Sequence, residues 1–139
     1  MLILDTNVVS ELRKAKAGKA DANVVAWAAA QDPAALYLSA ITLLELEMGV
    51  KLAERRDSAQ GAILRNWVTS KVLPAFEGRV LPVDGPVALC CAGLHVPDPR
   101  SDRDALIAAT GIVHAMPIVT RNVADFEGTG VKVINPWEG

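Results

Sequence analysis

Four acids in this sequence sit where apolar segments begin or end, and together they could hold a metal ion. Asp5 closes the run MLILD, and Glu45 lies within SAITLLELEMGVKLAERR. Asp104 opens the stripe of SDRDALIAATGIVHA, and Asp125 follows a strand-like run in VTRNVADFEG. Two carboxylates ~5 Å apart repel by about 3 kcal/mol at an effective dielectric of ~20, so gathering four of them makes physical sense only around a cation. Oxygen donors without a thiolate or a histidine pair suit Mg²⁺ or Mn²⁺ better than zinc. Such ions accept phosphate oxygens, activate water and stabilise charge building on a phosphodiester, which is nuclease chemistry.

Each acid also has a plainer explanation. With a helix starting at Ser39, Ile41, Leu44, Glu45, Met48 and Leu52 share one face, which puts Glu45 inside an apolar stripe. The rival account is a capping box, Thr42-x-x-Glu45, in which the acid satisfies backbone N–H groups of a later-starting helix. Glu47 reads as exposed, with Lys51 four residues on and Glu54 continuing a polar edge. Gly49 leaves space beside Glu45. In the later helix Asp104, Ile107, Ala108, Gly111 and Ala115 share a face, so the acid heads a stripe of small residues able to lie close to a sheet. Ser101-x-x-Asp104 is again a possible capping box, and Asp102 is expected to face solvent. Asn122 and Asp125 both offer oxygens to a hard cation, although Asn, Asp and Gly are also ordinary turn residues.

The elements that would position these acids alternate. Strand-like runs occur at Leu2–Leu4, Leu36–Leu38, Val80–Val83, Pro117–Thr120 and Val131–Ile134. Helical patterns cover Asn7–Lys14, Asn23–Ala30, Ala40–Arg56, Ala59–Ala75, Gly85–Leu94 and Asp102–Ala115. Strands separated by helices predict an α/β fold, a parallel sheet covered on both faces. In such sheets ligands bind beyond the carboxyl ends of the strands, where Asp5 and the Arg121–Asp125 loop fall.

Composition supports a single domain. The 139 residues are 51% hydrophobic, enough for a real core, and no linker, repeat or low-complexity tract divides them. Cys90 and Cys91 are adjacent and lack metal or redox spacing, so they read as reduced core residues of a cytoplasmic protein. No basic stretch precedes the first apolar residues, and no charge-free run reaches the ~20 residues of a membrane span, so a soluble protein is expected. A net charge of -2 argues weakly against nucleic acid, but acids gathered in one site would leave the remaining surface near neutral or basic. Arg13, Lys14, Lys16 and Lys19 form one local basic cluster, and Arg55 with Arg56 another; each alone is adequately explained as solvated helix ends.

Four ordered segments, LILDTNVVSEL, YLSAITLLELEMGV, DALIAAT and VTRNVADFEGTGVKVINPW, resemble the PIN-domain family, in particular VapC-like toxins of bacterial toxin–antitoxin pairs. The resemblance covers nearly the whole chain. It implies a three-layer α/β/α fold with a central, mostly parallel sheet of about five strands. It also implies an Mg²⁺- or Mn²⁺-dependent endoribonuclease; with such an ion, attack on phosphorus by a metal-activated water is expected to leave 5′-phosphate and 3′-hydroxyl ends. Carried over residue by residue, it assigns metal-site acids to Asp5, Glu45 and Asp104. The fourth position is ambiguous: Asn122 stands where an Asp often follows the Thr-Arg pair, and Asp125 is preferred as the fourth acid, with Asn122 auxiliary. Thr6, Asn7, Ser39 and Thr120 are expected to orient carboxylates or water, and Arg121 to pair with a site acid ahead of contacting phosphate. His95 and His114 are assigned to packing or surface. The implied partners are RNA, a small antitoxin whose C-terminal segment enters the acidic groove, and a second copy in a homodimer.

Three alternatives compete. A haloacid-dehalogenase-type phosphohydrolase requires an acid two residues after Asp5, where Asn7 stands. A receiver domain requires adjacent early acids and a late Lys, whereas Arg121 occupies that place. A PIN-like binding domain with a decayed site conflicts with the retention of Asp5, Glu45 and Asp104.

Overall fold

A computed structural model describes residues Met1–Gly139. Five short strands, β1 (Leu2–Leu4), β2 (Leu36–Ser39), β3 (Val80–Leu81), β4 (Ile118–Val119) and β5 (Val133–Ile134), form one sheet in the order β3-β2-β1-β4-β5. Every neighbouring pair is parallel, with Leu2 opposite Leu36 and Ile3 opposite Ile118. The helices are α1 (Thr6–Arg13), α2 (Ala22–Ala29), α3 (Ala40–Arg56), α4 (Ser58–Trp67), α5 (Leu73–Ala75), α6 (Gly85–Leu94) and α7 (Asp102–His114).

Alternation along the central strands divides the core between two faces. Leu4 and Val119 point to one side, where Val8 of α1 and Leu46 and Val50 of α3 cover them. Ile3 and Ile118 point to the other, under Ile107 and Ala108 of α7. Val87 and Cys91 of α6 then pack on Ala105 and Ala109 of α7. The result is the expected three-layer α/β/α arrangement, and no helix is long and apolar enough to cross a membrane.

Differences from the expected elements have local causes. The last three strands are only two residues long, shorter than the runs Val80–Val83, Pro117–Thr120 and Val131–Ile134 that contain them. The helix expected over Ala59–Ala75 contains a wide turn at Val68–Val72, where the Leu73 N–H reaches back five residues to the Val68 carbonyl. Pro74, next in the chain, has no N–H to continue the ordinary ladder. On α3 the buried face is Thr42, Leu46, Val50 and Ala53 rather than the stripe through Glu45. Leu44, Met48 and Leu52 of that stripe are 47%, 43% and 60% exposed, so Glu45 borders an open face instead of a core.

Gly111 explains how α7 approaches the sheet so closely. A Cβ there would lie 2.8 Å from both Ile118 Cδ1 and the Met116 carbonyl oxygen. The carbonyl belongs to the turn into β4 and cannot simply rotate away. Gly111→Ala should therefore destabilise the fold by about 1–3 kcal/mol despite the better helix propensity of alanine. A urea melt of this variant checks it; an unchanged midpoint would mean that α7 is free to shift.

Candidate active site

Strand order reverses at β1, since the chain runs outward through β2 and β3 before returning to place β4 and β5 on the opposite side. Crevices beyond the carboxyl ends of strands open at such points. Asp5 immediately follows β1 and Thr120 immediately follows β4, so the first and last thirds of the chain meet there.

Asp5 is only 5% exposed. Its Oδ1 accepts the Thr6 backbone N–H at 2.8 Å, capping α1. Its Oδ2 accepts the Thr120 hydroxyl at 2.7 Å and the Asn7 side-chain amide at 3.2 Å. The network continues outward, because the Asn7 amide also reaches Thr120 Oγ1 and the Asn7 Oδ1 accepts the Arg121 backbone N–H. Burial raises the Asp5 carboxyl above the usual range; the hydrogen bonds from Thr120 and Thr6 oppose that, and the Glu45 charge adds to it. A buried carboxylate with three donors and a like charge nearby is oriented but electrostatically unsatisfied.

Glu45 is held from α1. Its Oε1 accepts the Thr6 hydroxyl at 2.7 Å, and that hydroxyl also lies 3.3 Å from Thr42 Oγ1. The Thr42 capping box does not form, because Ser39 caps α3 by accepting the Ile41 N–H. Ser101 likewise makes no side-chain cap to α7. Asp104 lies in the first turn of α7, its carboxyl raised first by burial, then by the charges of Asp125, Asp5 and Glu45. Asp104 thus feels the charge of the other three acids, and Asp5 that of Glu45, which gathers the four into one electrostatic neighbourhood.

The remaining expected residues divide. Asp125 is exposed on a short turn at Val123–Phe126 and faces Asp104 closely enough to repel it. Asn122 contributes its backbone N–H to Thr120 Oγ1 at 3.0 Å, and its side chain is exposed. Ser39 is fully buried and serves its helix rather than a carboxylate. Arg121 forms no ion pair with a site acid, contrary to expectation; its guanidinium lies 5.4 Å from the centroid of the Trp137 ring. The indole is contributed by the C-terminal segment, which holds the cation away from the acids. Glu47 and Asp102 are outside the cluster, Glu47 bonded to Arg65 and Asp102 extending into solvent.

Arg103 was not anticipated. Its Nη1 lies 3.5 Å from Glu45 Oε2 and 3.7 Å from Met48 Sδ, so a cation from α7 partly neutralises the acid of α3. Sequence spacing carries no sign of this pair, which depends on two helices crossing.

No three His, Cys, Asp or Glu side chains are drawn together closely enough to hold an ion as they stand. The donor set nevertheless fits a hard divalent cation: four carboxylates, no sulfur or imidazole among them, and repulsion that a cation would relieve. Gly49 leaves the space beside Glu45 open.

A PIN-domain family model matches residues 2–130, and the chain belongs to that family. It is 42% identical over 143 residues to the VapC ribonuclease Y4jK of Sinorhizobium fredii, with 99% of each chain covered. Toxin FitB of Neisseria gonorrhoeae is 35% identical over 142 residues, again with 99% of each covered. Among solved structures, FitAcB from Neisseria gonorrhoeae superposes with a TM-score of 0.90 over the whole of both chains at 35% identity.

Proposed function

We propose that this chain is an Mg²⁺- or Mn²⁺-dependent endoribonuclease, the toxin of a toxin–antitoxin pair acting in the cytoplasm. The observation that carries it is the grouping of Asp5, Glu45, Asp104 and Asp125 at the reversal point of the sheet, where the charges of the other three bear on Asp104. Relatives named as a VapC ribonuclease and as a toxin support the nuclease and toxin parts.

Asp5, Glu45 and Asp104 would hold the ion, with Asp125 as fourth acid and Asn122 auxiliary. When bound, the ion would supply charge neutralisation at the phosphodiester and activation of water for attack on phosphorus. The protein's own contribution is placement. Thr120 and Asn7 fix the Asp5 carboxylate, and Thr6 fixes that of Glu45, so neither has to reorganise when substrate arrives. Asp125, exposed at the mouth, is the acid placed to orient water and receive its proton. Cleavage of total RNA with Mg²⁺ or Mn²⁺, against EDTA, tests the proposal, with mapping of the ends. Expected products carry 5′-phosphates and 3′-hydroxyls; a cyclic 2′,3′-phosphate would overturn the scheme, because the ribose hydroxyl would then be the nucleophile.

Arg103 competes with the ion for Glu45. Arg103→Ala should leave the fold within about 1 kcal/mol, as for an exposed pair, and tighten Mn²⁺ binding by roughly fivefold. Calorimetric titration of both proteins reads this directly; equal affinities would remove Arg103 from the site's electrostatics.

An antitoxin and a second copy of the chain are the proposed protein partners. The exposed Leu44, Met48 and Leu52 on α3 are suited to a protein contact. Sedimentation of the purified chain tests the dimer, and recovery of a small co-purifying protein from the native host tests the antitoxin.

A further inference from the structure

A groove runs from the acid cluster along α1 toward the wide turn after α4. Thr6 and Glu45 line its near end, and Arg13 and Trp67 line the next stretch. Beyond them Lys16 and Lys71 flank the same indole, over a floor that includes Val72 and Phe76. Arg13 lies 5.8 Å from the centroid of the Trp67 ring. Apart from Glu45 at the site end, no acid lines the groove.

These cations differ from their neighbours. Lys14 is paired with Glu11 at 2.8 Å and Arg65 with Glu47 at 2.6 Å, whereas Arg13, Lys16 and Lys71 pair with no acid. All three are exposed, on a chain whose net charge is -2. Three cations without an acid partner thus line the path that leads to the acids. Cations spaced around an aromatic face form the usual platform for single-stranded nucleic acid, phosphates on the charges and a base on the ring.

We propose that this groove is a subsite for the single-stranded RNA flanking the cut phosphodiester. Arg13, Lys16 and Lys71 hold phosphates, and Trp67 with Arg13 provides a stacking surface for one base. The inference rests on the nuclease reading and extends it to the substrate's conformation, since a duplex would not present an unstacked base to the indole.

The test uses the full chain carrying Asp5→Asn to prevent cutting, and a fluorescently labelled single-stranded oligoribonucleotide. Anisotropy is measured across a KCl series. Lys16→Gln with Lys71→Gln should weaken binding at least tenfold at low salt. It should also flatten the slope of log affinity against log salt by ~1.4, about 0.7 for each lost phosphate contact. A merely structural role would not change that slope. Trp67→Leu should weaken binding by about tenfold with the slope unchanged, and Trp67→Phe should restore most of the loss. Binding of the double Lys variant with the parent's affinity and slope would overturn the subsite while cutting by the wild-type chain kept the nuclease reading intact. Absence of both cutting and RNA binding in the parent would overturn the two together. Loss of a co-purifying protein partner with RNA binding unaffected would assign the groove to protein and also overturn the proposal.

Discussion

Asp5→Asn should abolish RNA cleavage, by roughly a thousandfold or more, while the protein remains folded. Asn is as good a helix cap as Asp, so α1 keeps its start. What disappears is the buried charge, and with it the strongest attraction for a cation at the centre of the site. Losing one preorganised charge-stabilising group commonly costs about 10²–10³ in rate, and a metal-holding acid belongs at the upper end. Thr120 and Asn7 would lose part of their acceptor, which sets a modest stability cost against the relief of burying a charge beside Glu45. Single-turnover cleavage and a thermal melt of the same preparation separate these effects. Cleavage at a parental rate by a folded Asp5→Asn protein would remove Asp5 from the chemistry.

Divalent metal should have the largest effect on stability. At about 100 times its dissociation constant a ligand bound only to the folded state contributes about 2.7 kcal/mol, which for this size is a rise of roughly 5–10 °C in melting temperature. Without metal, pH should substitute for it in part. Asp5 and Asp104 have folded-state pKa values raised by burial, each further raised by neighbouring acids. The folded state therefore takes up protons more readily than the unfolded chain. The stabilisation is complete below the ordinary Asp range and is lost as pH rises through the raised values. Metal-free protein should accordingly melt higher as pH is lowered from 7 toward the carboxylate range, and saturating Mg²⁺ should erase or reverse the trend. Glu11 and Glu47 have lowered values from hydrogen bonds with Lys14 and Arg65, and act in the opposite sense, but both pairs are partly open to solvent and screened. A metal-free melting temperature that drops as pH is lowered from 7 toward the carboxylate range would contradict the cluster's electrostatics.

Most of the clustered acids were legible because they lie where a regular element starts or ends: Asp5 after β1, Asp104 in the first turn of α7 and Asp125 in the turn after β4. Asp5 after LIL and Asp104 at the head of DALIAAT needed only short-range periodicity to be placed. Glu45 joins the acid cluster, although the face that singled it out was misjudged. Helix α3 is apolar on more than one side, so Leu44, Met48 and Leu52 matched the period as well as the truly buried Leu46 and Val50. Periodicity finds faces but does not say which one the sheet covers. Arg103 and Arg121 depended on partners 58 and 16 residues away, Glu45 and Trp137, and nothing local encodes such pairings. The groove beside Trp67 was invisible for the same reason, since its cations come from α1, the turn after it and the segment following α4.

The bond between the Thr120 hydroxyl and Asp5 spans 115 residues of sequence. On a ribosome adding ~5–20 residues per second, Asp5 is therefore synthesised about 6–23 s before the side chain that orients it. Over that interval α1 has a capping acid but no completed pocket, and Asp104 and Asp125 arrive near the end of the same wait. In a chain of this topology the Asp5 carboxylate gains its ordering hydroxyl only when the last fifth of the sequence is made.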